Sequence, residues 1–262
     1  MMSALFRWEV QIMELIQLIL AAIILGFIYK KMLRWGGTDS ISPKQAYISL
    51  GLGVLATIIT FILAIVIAMS IVDLGYNLAD IENQFVKASA LAFFRAGFPE
   101  ELSKLLMIVL AVKLFKPDNI YKYILIGAGV GMGFTLNEEL VYGGTLMGFC
   151  RFFTVAFHML LGIFMAEYIG RGNFHKANGE PYKLLYLTAF LVPVVIHTFY
   201  DALTAYNPAV EIGDIDDEVV GMWLLAAIVF EICTIIWQVV YIKRLKKIAA
   251  KYVNFKFNSI SA

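Results

Sequence analysis

Charge is what this chain is shortest of. Its 262 residues are 16% charged and 61% hydrophobic, with a mean hydropathy of +0.79. A soluble domain runs about 25% charged and about 45–50% apolar. That displacement excludes an ordinary soluble domain and points to a polytopic membrane protein. A net charge of +1 leaves no electrostatic case for nucleic-acid binding. Two cysteines, Cys150 and Cys233, are too few for a disulfide framework or a cysteine-based metal site. No linker or internal repeat divides the chain, so residues 1–262 read as one integral-membrane domain. A cleavable signal peptide is not expected. The N-terminus lacks a basic leader, carries Glu9 and Glu14, and its apolar run ends at the stop-transfer pattern "YKKMLR".

What is present is apolar helix. Seven segments are long enough to span the hydrocarbon, which takes roughly 20 mostly apolar residues: about 10–30, 46–72, 90–115, 121–143, 150–170, 184–206 and 219–242. Gly97 and Pro99 interrupt the third, so the stretch before Gly97 reads as a separate lead-in helix, which would make eight, with Pro99 in the first turn of the span proper. The expected fold is therefore an all-α transmembrane bundle with its central core at about 90–206. Basic residues fix the expected orientation. Lys30, Lys31, Arg34 and Lys44 follow the first span, and Lys113, Lys116 and Lys122 follow the third. Arg171, Lys176 and Lys183 follow the fifth, and Lys243, Arg244, Lys246, Lys247, Lys251 and Lys256 follow the seventh. These are 16 of the 21 basic residues, all on one side, while the opposite loops "DLGYNLADIEN" and "EIGDIDDE" are acidic. The N-terminus is expected outside and the C-terminus in the cytoplasm.

An ionisable residue inside a span costs roughly 2.5–3.5 kcal/mol on insertion scales and is a functional candidate by default. Glu100, Glu101 and Lys104 lie on the third span, and Asn137, Glu138 and Glu139 on the fourth. His158 lies on the fifth, His197 and Asp201 on the sixth, and Glu231 on the seventh. At a rise of about 1.5 Å per residue, Glu100, Glu138, His158, His197 and Asp201 sit roughly 18–26 Å above the basic ends of their helices. Four helices thus carry acids and imidazoles at one depth, in the outer half of the bilayer. Glu231 lacks a polar neighbour at helical spacing and reads as structural. Lys104 is three residues from Glu101 and four from Glu100, so it can neutralise one of them. His197 and Asp201 share a face at i,i+4, which suits two metal ligands or a histidine oriented by an acid. Gly127, Gly129, Gly131 and Gly133 make one stretch narrow enough for close helix contact.

These motifs resemble a known family. "EELSK" is similar to the EExxK motif of the PrsW intramembrane proteases, in the wider group that holds the CAAX prenyl endopeptidases and the APH-1 subunit of gamma-secretase. "GFTLNEELVY" resembles the family's second motif, with Phe134 and Glu138 matching and Tyr142 following, but Glu139 stands where the family usually has Asn. "RFFTVAFHMLLG" and "HTFYDAL" resemble its Arg…His and HxxxD segments. The four matches run in order over residues 97–205. Signatures of other intramembrane proteases are missing: no HExxH, no GxGD, no GxSxG.

Two chemistries remain open on these residues. With Zn²⁺, His158, His197 and Asp201 would be the ligands, joined or not by Glu138, and Glu100 or Glu101 the general base. Without a metal, Glu100 and His158 would activate water while His197 and Asp201 polarise the carbonyl. The resemblance implies an endopeptidase in the lipid bilayer acting on a single-span membrane protein, such as a transmembrane anti-sigma factor. A non-catalytic scaffold like APH-1 and a CAAX-type endopeptidase are the alternative readings; a proton or ion relay would call for repeats that the sequence lacks.

Overall fold

The computed structural model describes residues 4–142, 153–206 and 217–253. The described residues are all-helical, 88% of them in helix, and the helices follow from local signals. α1 (Ala4–Gly36) ends in a short 3-10 turn, after which Ser42 starts α2 (Pro43–Asp73). The Ser42 hydroxyl accepts from the Gln45 amide at 3.2 Å, and the Gln45 side chain accepts from the Ser42 amide at 2.9 Å. That capping box, with Pro43 in the first turn, satisfies amide groups that a helix start would otherwise leave bare. Asn83 caps α3 (Gln84–Ala92), which runs through a π-helical turn at Phe93–Gly97 into α4 (Phe98–Phe115). Pro99 sits in the first turn of α4, and a left-handed Lys116 (φ 47°) followed by Pro117 stops it. α5 (Ile120–Tyr142), α6 (Phe157–Ala177), α7 (Lys183–Leu203) and α8 (Asp217–Tyr252) complete the bundle.

Among the described residues, five helices are long and apolar enough to cross a membrane, over Ile12–Asp39, Pro43–Asp73, Ile120–Val141, Lys183–Leu203 and Val220–Tyr252. The protein is multi-pass. α4 and α6 fall short of that standard: α4 carries Glu100, Glu101, Lys104 and Lys113 in 18 residues, and α6 carries Glu167, Arg171 and Lys176. Part of the expected fifth span, residues 150–152, lies outside the described residues, as does Cys150.

α5 is the axis of the bundle, packing most closely on α6 and α2. Glycine makes the first contact possible. A Cβ on Gly131 would collide with the His158 carbonyl and with the Met159 Cα, and one on Gly127 would meet the Gly162 carbonyl. Lipid tails are as apolar as leucine side chains, so helices in a membrane are drawn together by close packing and hydrogen bonds rather than by hydrophobicity. The bonds are present: Tyr29 and Tyr121 tie α1 to α5 through the carbonyls of Leu125 (3.0 Å) and Met32 (2.7 Å). Asn137 donates to the Thr57 hydroxyl on α2 at 2.7 Å, and Ser103 on α4 meets Thr60 on α2 at 2.6 Å.

Candidate active site

α4, α5, α6 and α7 each deliver acids or imidazoles to one place. The first turn of α4 reaches it because Gly97 lies against Thr198 of α7, where a Cβ would overlap the Thr198 hydroxyl. That contact sets Glu100 and Glu101 beside His197, one residue before Thr198 on the same helix.

Glu101 is fully buried, and its Oε1 accepts two bonds: from Lys104 Nζ at 2.7 Å and from His197 Nδ1 at 2.7 Å. Lys104, also fully buried, donates on to His158 Nδ1 at 2.8 Å and lies 4.2 Å above the centre of the Phe134 ring. A lysine ammonium is a donor only, so with Lys104 charged His158 Nδ1 accepts. The His158 proton then sits on Nε2, directed at Glu138 Oε2 at 2.6 Å. The Glu101 bond does the opposite for His197. It places a proton on Nδ1 and turns Nε2 towards Glu100 Oε2 (3.6 Å) and Asp201 Oδ2 (3.4 Å). A carboxylate holding the far nitrogen of a histidine is how proteins orient that ring for a ligand.

Glu100 is the least committed member. Its Oε2 is buried without a hydrogen bond, 3.8 Å from Lys104 Nζ. An unpartnered buried carboxylate oxygen is expensive and marks a place where a water, proton or ion belongs. Donor atoms of Glu100, His158 and His197 lie within 4.8 Å of one another. Zinc bonds of about 2.0–2.2 Å put tetrahedral ligand atoms roughly 3.3–3.5 Å apart, close to the spacing of His197 Nε2 from Glu100 and from Asp201. The residues therefore fit a divalent metal, and His158 is the donor that would first have to leave Glu138.

Seven of the ten polar residues singled out within the spans, Glu100, Glu101, Lys104, Glu138, His158, His197 and Asp201, thus meet in this cluster. Asn137 does not; it bonds Thr57 on α2. Glu139 is buried beside the cluster, lining a cavity of about 10 Å³ with Glu138, Thr154, His158 and Tyr200, room for about one water. The Tyr142 side chain lies outside the described residues. Sequence reasoning missed the aromatic packing. Phe157 meets both imidazoles edge-on, with ring centres 5.4 Å from His158 and 5.6 Å from His197, and stacks on Tyr200 at 4.6 Å. Tyr200 in turn shares a 2.8 Å hydrogen bond with Thr154. The available signal was adjacency: Phe157 precedes His158, and Tyr200 precedes Asp201.

The model of the PrsW family of intramembrane metalloproteases matches residues 44–234. The chain is 30% identical over 155 residues to Protease PrsW of Bacillus subtilis, covering 56% of this chain and 69% of the relative. It is 29% identical over 147 residues to Protease PrsW of Oceanobacillus iheyensis, covering 54% and 66%. No solved structure matches. The family match spans α2 to α8 and contains every residue of the buried cluster, and the chain belongs to the PrsW family of intramembrane proteases.

Proposed function

We propose that this protease cleaves a single-span, membrane-anchored protein at or within the outer leaflet, through water activated at Glu100. The observation that carries the reading is the Oε2 of Glu100, buried without a hydrogen bond beside His197. Seven spans are part of it: α4 and α6 cross within the shelter of the five apolar helices, the N-terminus outside and the C-terminus in the cytoplasm. The 16 one-sided basic residues support that orientation. A transmembrane anti-sigma factor is the class of substrate proposed.

The division of labour follows from the hydrogen bonds. Glu101 and Lys104 are committed to each other and to the two imidazoles, so they position rather than react. Glu100 has an oxygen free to take the proton of an attacking water. The proton that Glu100 takes from the water can then pass to the leaving amine, while His158, its Nε2 proton held by Glu138, keeps its ring in place beside the reacting atoms. Phe157 and Tyr200 close the site on one side and limit bulk water. A resident metal, proposed as Zn²⁺, would be held by Glu100, His158 and His197 with Asp201 beside them, and would supply a Lewis acid and an activated water.

The test is cleavage of a co-expressed single-span substrate together with metal analysis of purified protein. Glu100→Gln is expected to lower turnover about 100- to 10,000-fold, the contribution of one positioned acid or base, with the helical fold retained. Wild-type turnover in that variant would remove the mechanism. One zinc per chain, lost in His197→Ala, would support the metal form; no zinc in fully active protein would leave the glutamate and histidines working alone.

A further inference from the structure

Five basic residues do not belong to the one-sided basic set: Arg7, Lys87, Arg95, Lys104 and Arg151. Lys104 is spent within the buried cluster. Lys87 and Arg95 share a different place. Both line a cavity of about 250 Å³ at the end of the bundle remote from the basic loops, since α2 begins beside Lys44 and reaches the cavity only at its far end. One wall is the face of α2 formed by Ala64, Ile67, Ala68 and Ile71, apolar and part of a membrane span. The lining also takes Lys87 from α3 and Arg95 from the π-helical turn.

Neither cation is paired with a carboxylate among the described residues, although this side of the protein is acidic. Asp80 on the neighbouring loop is itself engaged by Asn77, at 2.9 Å. An unmatched lysine and arginine facing an apolar helix wall at a span end form the complement of an amphiphile with an anionic head. The guanidinium fork suits two phosphate oxygens, and the lysine adds a second positive charge further out. Basic pockets at span ends bind phosphate-bearing lipid headgroups through this chemistry.

We propose that the α2–α3 cavity is a binding site for an anionic phospholipid, with its phosphate between Lys87 and Arg95 and its acyl chain along the Ala64–Ile71 face of α2. The site does not rest on the protease mechanism; it needs only the span of α2 and the two cations.

The test uses the full chain purified in detergent, with lipid binding followed by native mass spectrometry. Three probes separate the walls: phosphatidylglycerol, a diacylglycerol with the same chains, and glycerol phosphate. Phosphatidylglycerol is expected to bind, and the other two, each lacking one half of the ligand, to bind at least tenfold more weakly. Lys87→Gln/Arg95→Gln is expected to weaken phosphatidylglycerol binding about 30-fold, at roughly one surface cation's worth of attraction each. Lys243→Gln/Lys247→Gln at the other end should leave it unchanged. Ala68→Trp, which keeps both cations and fills the apolar wall, should also weaken binding. Lys87→Arg/Arg95→Lys should preserve it, which guards against a folding artefact. Equal losses in the two glutamine pairs, or equal binding of diacylglycerol, would overturn the proposal. So would binding of hexaglutamate through Lys87 and Arg95 where the lipid shows none, which would assign the cavity to an acidic peptide segment.

Discussion

α2 and α5 lie against each other, yet they are opposites. In α2, 6% of the most apolar stretch is buried inside the protein; in α5 the share is 78%. α2 is the more apolar helix, and α5 holds Gly127, Gly129, Gly131, Gly133, Asn137, Glu138 and Glu139. In water the ranking would be reversed, because apolar surface would seek the core. Here the solvent is hydrocarbon, so apolar side chains gain little by leaving it, and the interior goes to residues that pack closely or bond across helices. The chemistry sits inside for the same reason. α4 and α6, the helices least able to cross a membrane by composition, carry Glu100, Glu101, Lys104 and His158 into the centre.

The severest way to break the contrast is to delete an inner charge. Lys104 is fully buried and supports Glu101, His158 and the Phe134 ring at once. Lys104→Met should destabilise the protein by about 3–5 kcal/mol, the cost of leaving a buried partner charge uncompensated, and should abolish cleavage. Lys113→Met, at the exposed end of the same helix, should leave the thermal unfolding temperature in detergent within error. Comparable losses in the two variants would mean that the cluster does not hold the four helices together.

Apolar positions give the next contrast. Ile124 on α5 is fully buried, whereas Ile228 on α8 is 58% exposed. Ile124→Ala should cost about 2–5 kcal/mol through the cavity it leaves. Ile228→Ala trades protein-borne methyls for lipid and should cost a few tenths of that. Unfolding measurements on the two variants decide it, and a large loss at Ile228 would reveal a protein partner on α8.

Much of the candidate site was legible from the sequence because charge inside an apolar run stands out. Glu100, Glu101, Lys104, Glu138, His158, His197 and Asp201 could be gathered by depth alone. What depth could not supply is rotation. Lys104 is within helical reach of both Glu100 and Glu101, and only the packing of α4 on α7 turns it to Glu101 at 2.7 Å and away from Glu100 at 3.8 Å. The Glu101–His197 bond joins residues 96 apart, so no local spacing announces it. The π-helical turn at Phe93–Gly97 was visible only as an interruption at Gly97 and Pro99. Glycine was legible as a packing signal on α5, but its partners were not, because Gly162 and His158 belong to another helix.

Glycine also supplies the finest test of the comparison, since alanine adds one methyl to either helix. At Gly131 that methyl lands on the backbone of His158 and Met159. Neither can yield without moving α6, so Gly131→Ala should cost about 1–3 kcal/mol and disturb His158 as well. At Gly51, on α2, no atom lies within 4 Å of the added carbon and the backbone is helical. Gly51→Ala should therefore stabilise the protein by about 0.5–1 kcal/mol, because alanine loses less freedom on entering a helix. The sign is the informative part. A rise in unfolding temperature at Gly51 beside a fall at Gly131 would match a lipid-facing helix against a protein-facing one. A fall at both would show that the exposed face of α2 is covered, and with only lipid to meet it a single methyl has no means of producing that result.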